Sequence, residues 1–149
     1  MLKAEKKVFK LHLKSSPQEI SRVEPFLKKM NKYAHFNKKQ FHSILIATTE
    51  AVNNSIVHGN LRNPEKYVDI ICILTPSTIE IHILDEGKGV KKSDIPNPLD
   101  ENNIFKESGR GIFIMKHFMD SVTFKKRKGG GEVILKLKKK PLCTKNYKT

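Results

Sequence analysis

Cysteine, tryptophan and long apolar runs are scarce in this sequence, and each scarcity excludes a class of protein. The 149 residues hold two cysteines and no tryptophan. Cys72 and Cys143 are too few and too far apart for a disulfide framework or a zinc site. No apolar stretch reaches the length of a membrane span, and the lysine-containing start lacks the apolar core of a signal peptide. We therefore expect a cytoplasmic protein with no membrane partner.

Acidic residues are also outnumbered. The chain has 29 Lys and Arg against 15 Asp and Glu, which gives a formal net charge of +14. Much of the excess lies near the two ends, including KKRK at 125–128 and KLKKK at 136–140. Such an excess favours acidic partners, nucleic acid among them. The alternative is that lysines keep strand exteriors and a tail soluble. The few aromatics nearby form no stacking platform, so no direct nucleic-acid partner is expected.

Apolar residues make up 38% of the chain, a proportion typical of one globular domain with a real core. Alternation predicts strands at 7–13, 67–74 and 78–84, and a closing hairpin around the glycines at 129–131. Capping and termination signals predict three helices. The first runs from a capping box at Ser16–Glu19 to about Ala34. The second runs from about Asn37 to Gly59, which would end it in a left-handed conformation. The third covers 111–122.

This order of elements predicts an α+β fold, a two-layer α/β sandwich with helices on one face of a mixed, mostly antiparallel sheet. We expect a single domain over residues 1–149, with the folded unit at about 6–138 and a basic C-terminal tail at 139–149. Residues 86–109 are rich in Gly, Pro, Asn and Asp and show no clear period. A loop of this length inside a compact domain is usually functional or mobile.

The second predicted helix ends in EAVNNSIVHGN at 50–60, where two asparagines stand in succession although asparagine is a poor helix former. Glu50 and Asn54, four apart, share one face of this helix. That face is either solvent-facing or, given its apolar neighbours, the wall of a pocket. In a pocket, the carboxylate can accept a proton and the amide oxygen can ligate Mg²⁺. The core stripe is predicted on the opposite face, at Phe41, Leu45, Thr48, Val52 and Ile56.

The second motif is ILDEGKGV at 83–90, in which a strand ends at Asp85 and is followed by Gly87 and Gly89. A simple turn accounts for this pattern. A ligand site accounts for it equally well, if Asp85 accepts a hydrogen bond from an amine and the glycines let the backbone pass close to a flat ring.

The third motif is ESGRGIFIM at 107–115. Gly109 and Gly111 at a helix start leave backbone N–H groups for phosphate, and Arg110 adds a positive charge, although ordinary capping gives the same pattern. No GK[ST] follows, so this is not a Walker A loop, and no third glycine completes a dinucleotide fingerprint.

The three motifs in this order, E-x-x-x-N on a helix, D-x-G-x-G after a strand and G-x-G at a helix start, resemble the GHKL ATPase superfamily. EAVNNSIVHGN and SGRGIFIMKHFMDSV most resemble the anti-sigma-factor serine kinases of bacteria, over about residues 6–138. The resemblance implies ATP and Mg²⁺ as cofactors. It implies that Glu50 is the catalytic base and that Asn54 ligates Mg²⁺. Asp85 would hold the adenine amino group, with Gly87 and Gly89 shaping the adenine pocket.

The resemblance further implies that Gly109, Arg110 and Gly111 receive phosphate and that the loop 91–108 is the ATP lid. The chain departs from the family pattern in the last strand. Family members often carry Thr near the nucleotide there, whereas this chain has Gly131 or Glu132. The lysine-rich C-terminus is also outside the pattern.

The function implied by the resemblance is that of an ATP-binding anti-sigma factor. Such a protein transfers the γ-phosphoryl group of ATP to a Ser or Thr of a small antagonist protein and sequesters a sigma factor, and family members commonly form homodimers. Two alternatives stay open from the sequence. One is a module that holds ATP and a partner without transferring phosphate, and the other is a nucleic-acid-binding protein driven by the net charge.

Overall fold

The computed structural model describes residues 6–87 and 107–139. The five strands form one sheet in the order β1-β2-β3-β5-β4, and every pairing is antiparallel. The predicted sandwich is confirmed, but its sheet, expected to be mixed, is antiparallel throughout the described ranges. The elements in chain order are β1 (Lys7–Lys14), a 3-10 turn (Pro17–Arg22), α1 (Val23–Ala34), α2 (Lys38–Asn54), a π-helical turn (Ser55–Gly59), β2 (Tyr67–Leu74), β3 (Thr78–Leu84), α3 (Glu107–Phe118), β4 (Ser121–Arg127) and β5 (Gly130–Lys138).

One face of the sheet carries the core. Successive strand side chains point to opposite faces, so every second residue of β2 and β3 is buried, as the alternation predicts. These residues join buried residues of all three helices in one apolar cluster. Cys72 lies within it with no exposed surface, and this burial raises the pKa of its thiol to about 12. The thiol therefore stays protonated and packs as a small apolar group, as predicted.

The two strands at the edges of the sheet, β1 and β4, carry lysines, as does the interior strand β5. β1 carries Lys7, Lys10 and Lys14, and β4 carries Lys125 and Lys126. An edge strand presents unpaired backbone groups that can pair with another chain, and charged side chains oppose such pairing. This gives a structural reason for the lysines of the two edge strands, which are a small part of the 29 Lys and Arg of the chain.

The predicted capping box of the first helix is wrong. The side chain of Ser16 makes no capping hydrogen bond, and Glu19 Oε1 instead accepts the backbone N–H of Lys14 at 3.2 Å. A 3-10 turn occupies the predicted first turn and a half, and α1 then begins with Pro25 at its third residue. Proline has no N–H to donate and is tolerated only near a helix start, so Pro25 separates the two elements.

α2 begins as predicted but buries more than one stripe. Asn37 caps it by accepting the N–H of Gln40 at 2.8 Å. Because α2 packs against both the sheet and α3, its buried surface is wider than the predicted stripe. Phe41 and Leu45 are only partly buried. The fully buried positions of α2 and the following turn include Thr48, Val52 and Ile56 as predicted, together with Ile44, Ala47 and Ala51.

The end of α2 differs from the prediction. The α-helix stops at Asn54, and the π-helical turn carries the chain on to Gly59. Gly59 does not adopt the left-handed backbone of a terminator. Leu61 and Arg62 adopt it instead, at φ of 54° and 56°. The glycine therefore serves another purpose, which is a close approach to Asp85.

α3 begins at Glu107, four residues before its predicted start, and ends at Phe118. Gly111 is thus the fifth residue of the helix, and its N–H lies beyond the first four, which alone lack a helical acceptor. The closing hairpin is confirmed, with Gly129 at a φ of 86° in its turn. No helix within 6–87 or 107–139 is long and apolar enough to cross a membrane.

Candidate functional site

Glu50 and Asn54 lie one turn apart on α2 and face α3 at Gly111. A Cβ placed on Gly111 would lie 3.0 Å from Asn54 Nδ2 and 3.2 Å from Glu50 Oε2. Glycine at this position therefore lets the α3 backbone come close to both side chains. Both residues are partly buried, so the face they share packs against α3 and is not an open surface. We call this group of three the α2–α3 side.

Asn54 Oδ1 is buried and accepts no hydrogen bond from the part of the chain that the structure describes. Leaving such a group unpaired costs about 1–3 kcal/mol, so the oxygen is suited to a ligand. Gln40 Nε2 and Thr48 Oγ1, earlier in α2, are also buried without a hydrogen-bond partner among the described residues. A buried polar atom without a partner therefore does not by itself indicate a ligand site. Asn54 differs from Gln40 and Thr48 because the carboxylate of Glu50 faces the same glycine. Carboxylate and amide oxygens are the donors that Mg²⁺ prefers, so these residues fit the ion.

Asp85 follows β3 directly, and its buried carboxylate is held by backbone groups. Oδ1 accepts the N–H of Gly87 at 2.9 Å and the N–H of Gly131 at 3.1 Å. The backbone N–H of Asp85 in turn donates to Gly131 O at 2.9 Å. No residue in 6–87 or 107–139 donates to Oδ2, which is left as an acceptor for a ligand amine. We call Asp85 and its surrounding glycines the β3 side.

Glycine is required around Asp85 because the backbone approaches closer than any Cβ allows. A Cβ on Gly59 would lie 2.5 Å from Asp85 Oδ2, and one on Gly130 would overlap Asp85 O. A Cβ on Gly87 would overlap the carbonyl oxygen of Gly59. These glycines therefore pack directly against Asp85 and against each other, and they hold the carboxylate between three segments of backbone.

Sequence reasoning missed the contacts of Gly59, Gly130 and Gly131 with Asp85. The run GGG gave a signal, because a two-residue turn needs only the left-handed Gly129 and leaves two glycines unexplained. Gly131 is one of the two residues, with Glu132, at which the resemblance expects a threonine, and its backbone binds Asp85 in two places.

One stretch of chain connects the two sides. α2 supplies Glu50 and Asn54 in its last turn, and the π-helical turn then places Gly59 against Asp85. The wide turn is closed by the N–H of Asn60, which donates to Ser55 O at 2.8 Å. π-helical turns of this kind are frequent at functional sites.

The other predicted site residues lie at the start of α3 or outside the described ranges. Gly109 and Arg110 lie in the first turn of α3, where Arg110 is exposed. Gly89, and the predicted lid up to residue 106, fall outside the described residues. The structure thus brings Glu50, Asn54 and Gly111 together, and separately brings Asp85 and Gly87 together.

A protein-family model described as a histidine kinase-like ATPase domain matches residues 13–137, a range that includes both sides of the site. The chain belongs to this family. Within the ATPase-domain family, it superposes on a solved structure of the RsbU and RsbW domains of Rv1364c from Mycobacterium tuberculosis with a TM-score of 0.64 and 13% identity. That superposition covers 88% of this chain and 31% of the other, and it shows the shared fold.

Curated relatives of this ATPase domain include anti-sigma F factors. The Oceanobacillus iheyensis protein is 43% identical over 81 residues, which cover 53% of this chain and 56% of the relative. The Anoxybacillus flavithermus protein is 35% identical over 106 residues, which cover 67% of this chain and 73% of the relative. The match to the first thus spans little more than half of that protein's length.

Proposed function

We propose that this ATPase-domain protein is an ATP-binding anti-sigma factor with serine/threonine protein kinase activity. Its partners would be a sigma factor, which it sequesters, and a small anti-sigma-factor antagonist, which it phosphorylates. The names of its relatives support this class of function. The structural observation that carries the proposal is Asn54 Oδ1, buried without a partner among the described residues and accompanied by Glu50 at Gly111.

Asp85 would recognise the adenine amino group on the β3 side. Its Oδ1 is occupied by two backbone N–H groups, so Oδ2 is the oxygen that faces a ligand. A carboxylate accepts hydrogen bonds but donates none, which matches an amine and opposes a carbonyl. Gly87 and Gly89 would shape the adenine pocket, as the resemblance implies, and Gly59 packs against Asp85 and Gly87 beside it.

Glu50 and Asn54 would act on the phosphate end of the nucleotide. Glu50 accepts the proton of a Ser or Thr hydroxyl while the hydroxyl oxygen forms a bond to the γ-phosphorus. The bond from that phosphorus to the bridging oxygen breaks, and ADP is released. Asn54 Oδ1 would hold Mg²⁺, which neutralises phosphate charge when bound. Mg²⁺ commonly takes phosphate oxygens and water as its other ligands, so few protein ligands are needed.

The start of α3 would receive the phosphates. The first four N–H groups of a helix lack helical acceptors, and the positive end of the helix dipole attracts anions. Gly109 and Arg110 lie in this first turn. For Gly111 we propose an added role as a spacer, because its missing side chain lets α3 reach Glu50 and Asn54.

The experiment is a pull-down from the native bacterium with and without ATP, followed by transfer assays on each captured protein. With Mg²⁺ and labelled ATP, we expect phosphate on a Ser or Thr of one captured protein and an equal amount of ADP. Failure of the chain to bind ATP or ADP would overturn the proposal.

The alternative function is a non-catalytic module that binds ATP and a partner. It predicts ATP-dependent capture of the partners without any phosphoprotein, so the same assay distinguishes the two functions. A cytoplasmic location, a homodimer, a single domain with a basic tail at 139–149 and the absence of nucleic-acid binding stay predictions. The last is checked by titrating DNA at rising salt, since phosphate-driven binding falls steeply with salt.

A further inference from the structure

Asn60 is an internal polar residue that the proposed reaction does not use. Its side chain is 1% exposed and makes three hydrogen bonds to three segments of the chain. Nδ2 donates to Ser15 Oγ at 2.6 Å and to Tyr67 O at 2.9 Å. Oδ1 accepts the backbone N–H of Glu86 at 2.8 Å. Both amide hydrogens and the oxygen are therefore used, which fixes the orientation of the side chain.

The bond to Glu86 matters because Glu86 stands between Asp85 and Gly87. Asn60 holds the peptide between Asp85 and Glu86. The N–H of Gly87, one of the two donors to Asp85 Oδ1, belongs to the next peptide along the chain, so Asn60 fixes the backbone directly before that donor. The Glu86 carboxylate accepts a hydrogen bond from the backbone N–H of Tyr67, at the start of β2. We call these two hydrogen bonds, from Glu86 N–H to Asn60 and from Tyr67 N–H to the Glu86 carboxylate, the 86 anchor.

The chain before Asn60 acts on the same carboxylate from the other side. Gly59 lies against Asp85 Oδ2, and the Gly87 backbone lies against Gly59 O. Two adjacent residues therefore position Asp85. Gly59 packs against Oδ2, and Asn60 holds the backbone that follows Asp85. On the remaining side, Gly131 holds Asp85 through backbone bonds.

A fixed acceptor is what discriminates an amine from a carbonyl. Consider a base that has a carbonyl where adenine has its amine. If the Asp85 carboxylate could rotate away, this base would lose the hydrogen bond that the amine makes, but its carbonyl oxygen would not be held against the carboxylate oxygen. A site that cannot relax rejects the wrong group much more strongly, because its buried polar atom is left unpaired.

We propose that Asn60 is a specificity-determining positioning residue that holds Asp85, through the 86 anchor, in the orientation that selects 6-amino over 6-oxo purine nucleotides. This inference rests on the proposed function, because it takes Asp85 as the adenine acceptor. Asn60 touches no reacting atom and acts through Glu86 and Gly87.

The test compares the affinities of ADP and IDP, which differ at the group that Asp85 would read. We expect the wild type to prefer ADP by about tenfold or more, the scale of one hydrogen bond to a charged group. We expect Asn60→Ala to reduce this preference at least severalfold, mainly by weakening ADP. Calorimetry on the full chain gives both constants.

Ser15→Ala is the matched control. It removes one partner of Asn60 Nδ2 and leaves the bond from Glu86 N–H to Asn60 Oδ1 intact. It should lower thermal stability and keep the preference for ADP. An unchanged preference in Asn60→Ala, or an equal loss in Ser15→Ala, would show a general structural role and overturn the proposal.

Hydrogen exchange in the wild type gives a second measurement that does not require Asn60→Ala to fold. The Glu86 amide should be protected in the absence of nucleotide, and Ser15→Ala should leave it protected. Rapid exchange at Glu86 would overturn the proposal. Failure of the wild type to bind ADP at all would instead remove the proposed function, so the two failures are distinguishable.

Discussion

The β3 side and the α2–α3 side of the site are built on opposite principles. Around Asp85, permanent backbone donors occupy one carboxylate oxygen and glycine backbones enclose the group. Around Asn54, a buried amide oxygen has no partner among the described residues. On the β3 side, the described residues therefore fix the carboxylate and leave only Oδ2 for a ligand, whereas on the α2–α3 side no described residue donates to Asn54 Oδ1.

The difference reflects the kind of ligand that each side would bind. A base presents neutral donors in a fixed plane, so a rigid acceptor gains by being preorganised. A cation needs oxygens with free lone pairs, and any permanent donor placed there would compete with it. Nucleotide affinity and metal dependence should therefore be separable by mutation.

The largest effect should come from Glu50→Gln on the α2–α3 side. The change keeps the size and hydrogen-bonding capacity of the side chain but removes the proton acceptor. Phosphoryl transfer to a verified partner should fall by about 10²–10⁴-fold, the usual contribution of a general base. ADP affinity should stay at the wild-type value. Initial rates of phosphoprotein formation and calorimetry check this, and a wild-type rate would exclude Glu50 as the base.

Asp85→Asn should weaken the binding of the adenine base on the β3 side and leave the α2–α3 side unchanged. Replacing one carboxylate oxygen by NH₂ sets a donor against the adenine amine or against a backbone N–H. The loss should be about 1–3 kcal/mol of ADP affinity or more. The factor by which Mg²⁺ strengthens ATP binding should be retained. Calorimetry with and without Mg²⁺ measures both quantities, and equal ADP affinity in wild type and variant contradicts the adenine assignment.

Two glycine substitutions test whether the sides are independent. Gly59→Ala places a Cβ 2.5 Å from Asp85 Oδ2, so the carboxylate must shift, and overpacking of this kind costs about 1–3 kcal/mol. Gly111→Ala places a Cβ 3.0 Å from Asn54 Nδ2 and 3.2 Å from Glu50 Oε2, so these two side chains must move by a few tenths of an ångström. We expect Gly59→Ala to weaken ADP binding and Gly111→Ala to reduce the Mg²⁺ dependence of ATP binding. If both variants change the same quantity by the same factor, the two sides act as one unit and are not separable.

The smallest effect concerns Cys72, which belongs to neither side and reports on the core. Its pKa is raised to about 12 by burial, so the folded chain retains a proton that the unfolded chain loses from about pH 9. Stability from this group is complete below pH 9 and falls as pH rises toward 12, by at most about 1.4 kcal/mol per pH unit.

Denaturant unfolding between pH 8 and pH 10.5 measures this slope, in a Cys143→Ser background so that one thiol remains. Cys72→Ala is the matched control because it has no titrating group. Lysine and tyrosine titrate in both chains, so the difference between their slopes isolates the thiol. Identical slopes would contradict the pKa shift. The substitutions at Glu50, Asp85, Gly59 and Gly111 should leave this slope unchanged if their effects are local.

Local patterns predicted the strands correctly, and they also predicted that Glu50 and Asn54 share one face of a helix. Alternation identified β1, β2 and β3, because one face of an antiparallel sheet is buried and the other is exposed. The pairing of Glu50 with Asn54 followed from helical spacing alone. These features depend on residues close in sequence, which is why the sequence reveals them.

The incorrect predictions depend on contacts between distant residues or on competition within a turn. Gly59 is a glycine because of Asp85, which is far from it in sequence, so no local rule distinguishes it from a turn glycine. Gly130 also packs against Asp85, and the run GGG marks it as unusual without indicating what it contacts. The predicted helix does not begin at a capping box at Ser16, because Pro25 has no N–H to donate and would interrupt a helix that began there. The early start of α3 precedes the apolar period that marks the rest of the helix.

The position of Gly59 relative to Asn54 depends on the number of residues in the π-helical turn between them, more than on which residues these are. Each residue added to or removed from a helix rotates the downstream residues by about 100°. Deleting one residue from the turn would keep every functional side chain in the sequence and still direct Gly59 away from Asp85. Substitutions at His58, the exposed residue of the turn, should therefore be tolerated across the family where insertions and deletions in the turn are not. A nucleotide-binding relative with this interval one residue shorter would contradict that constraint.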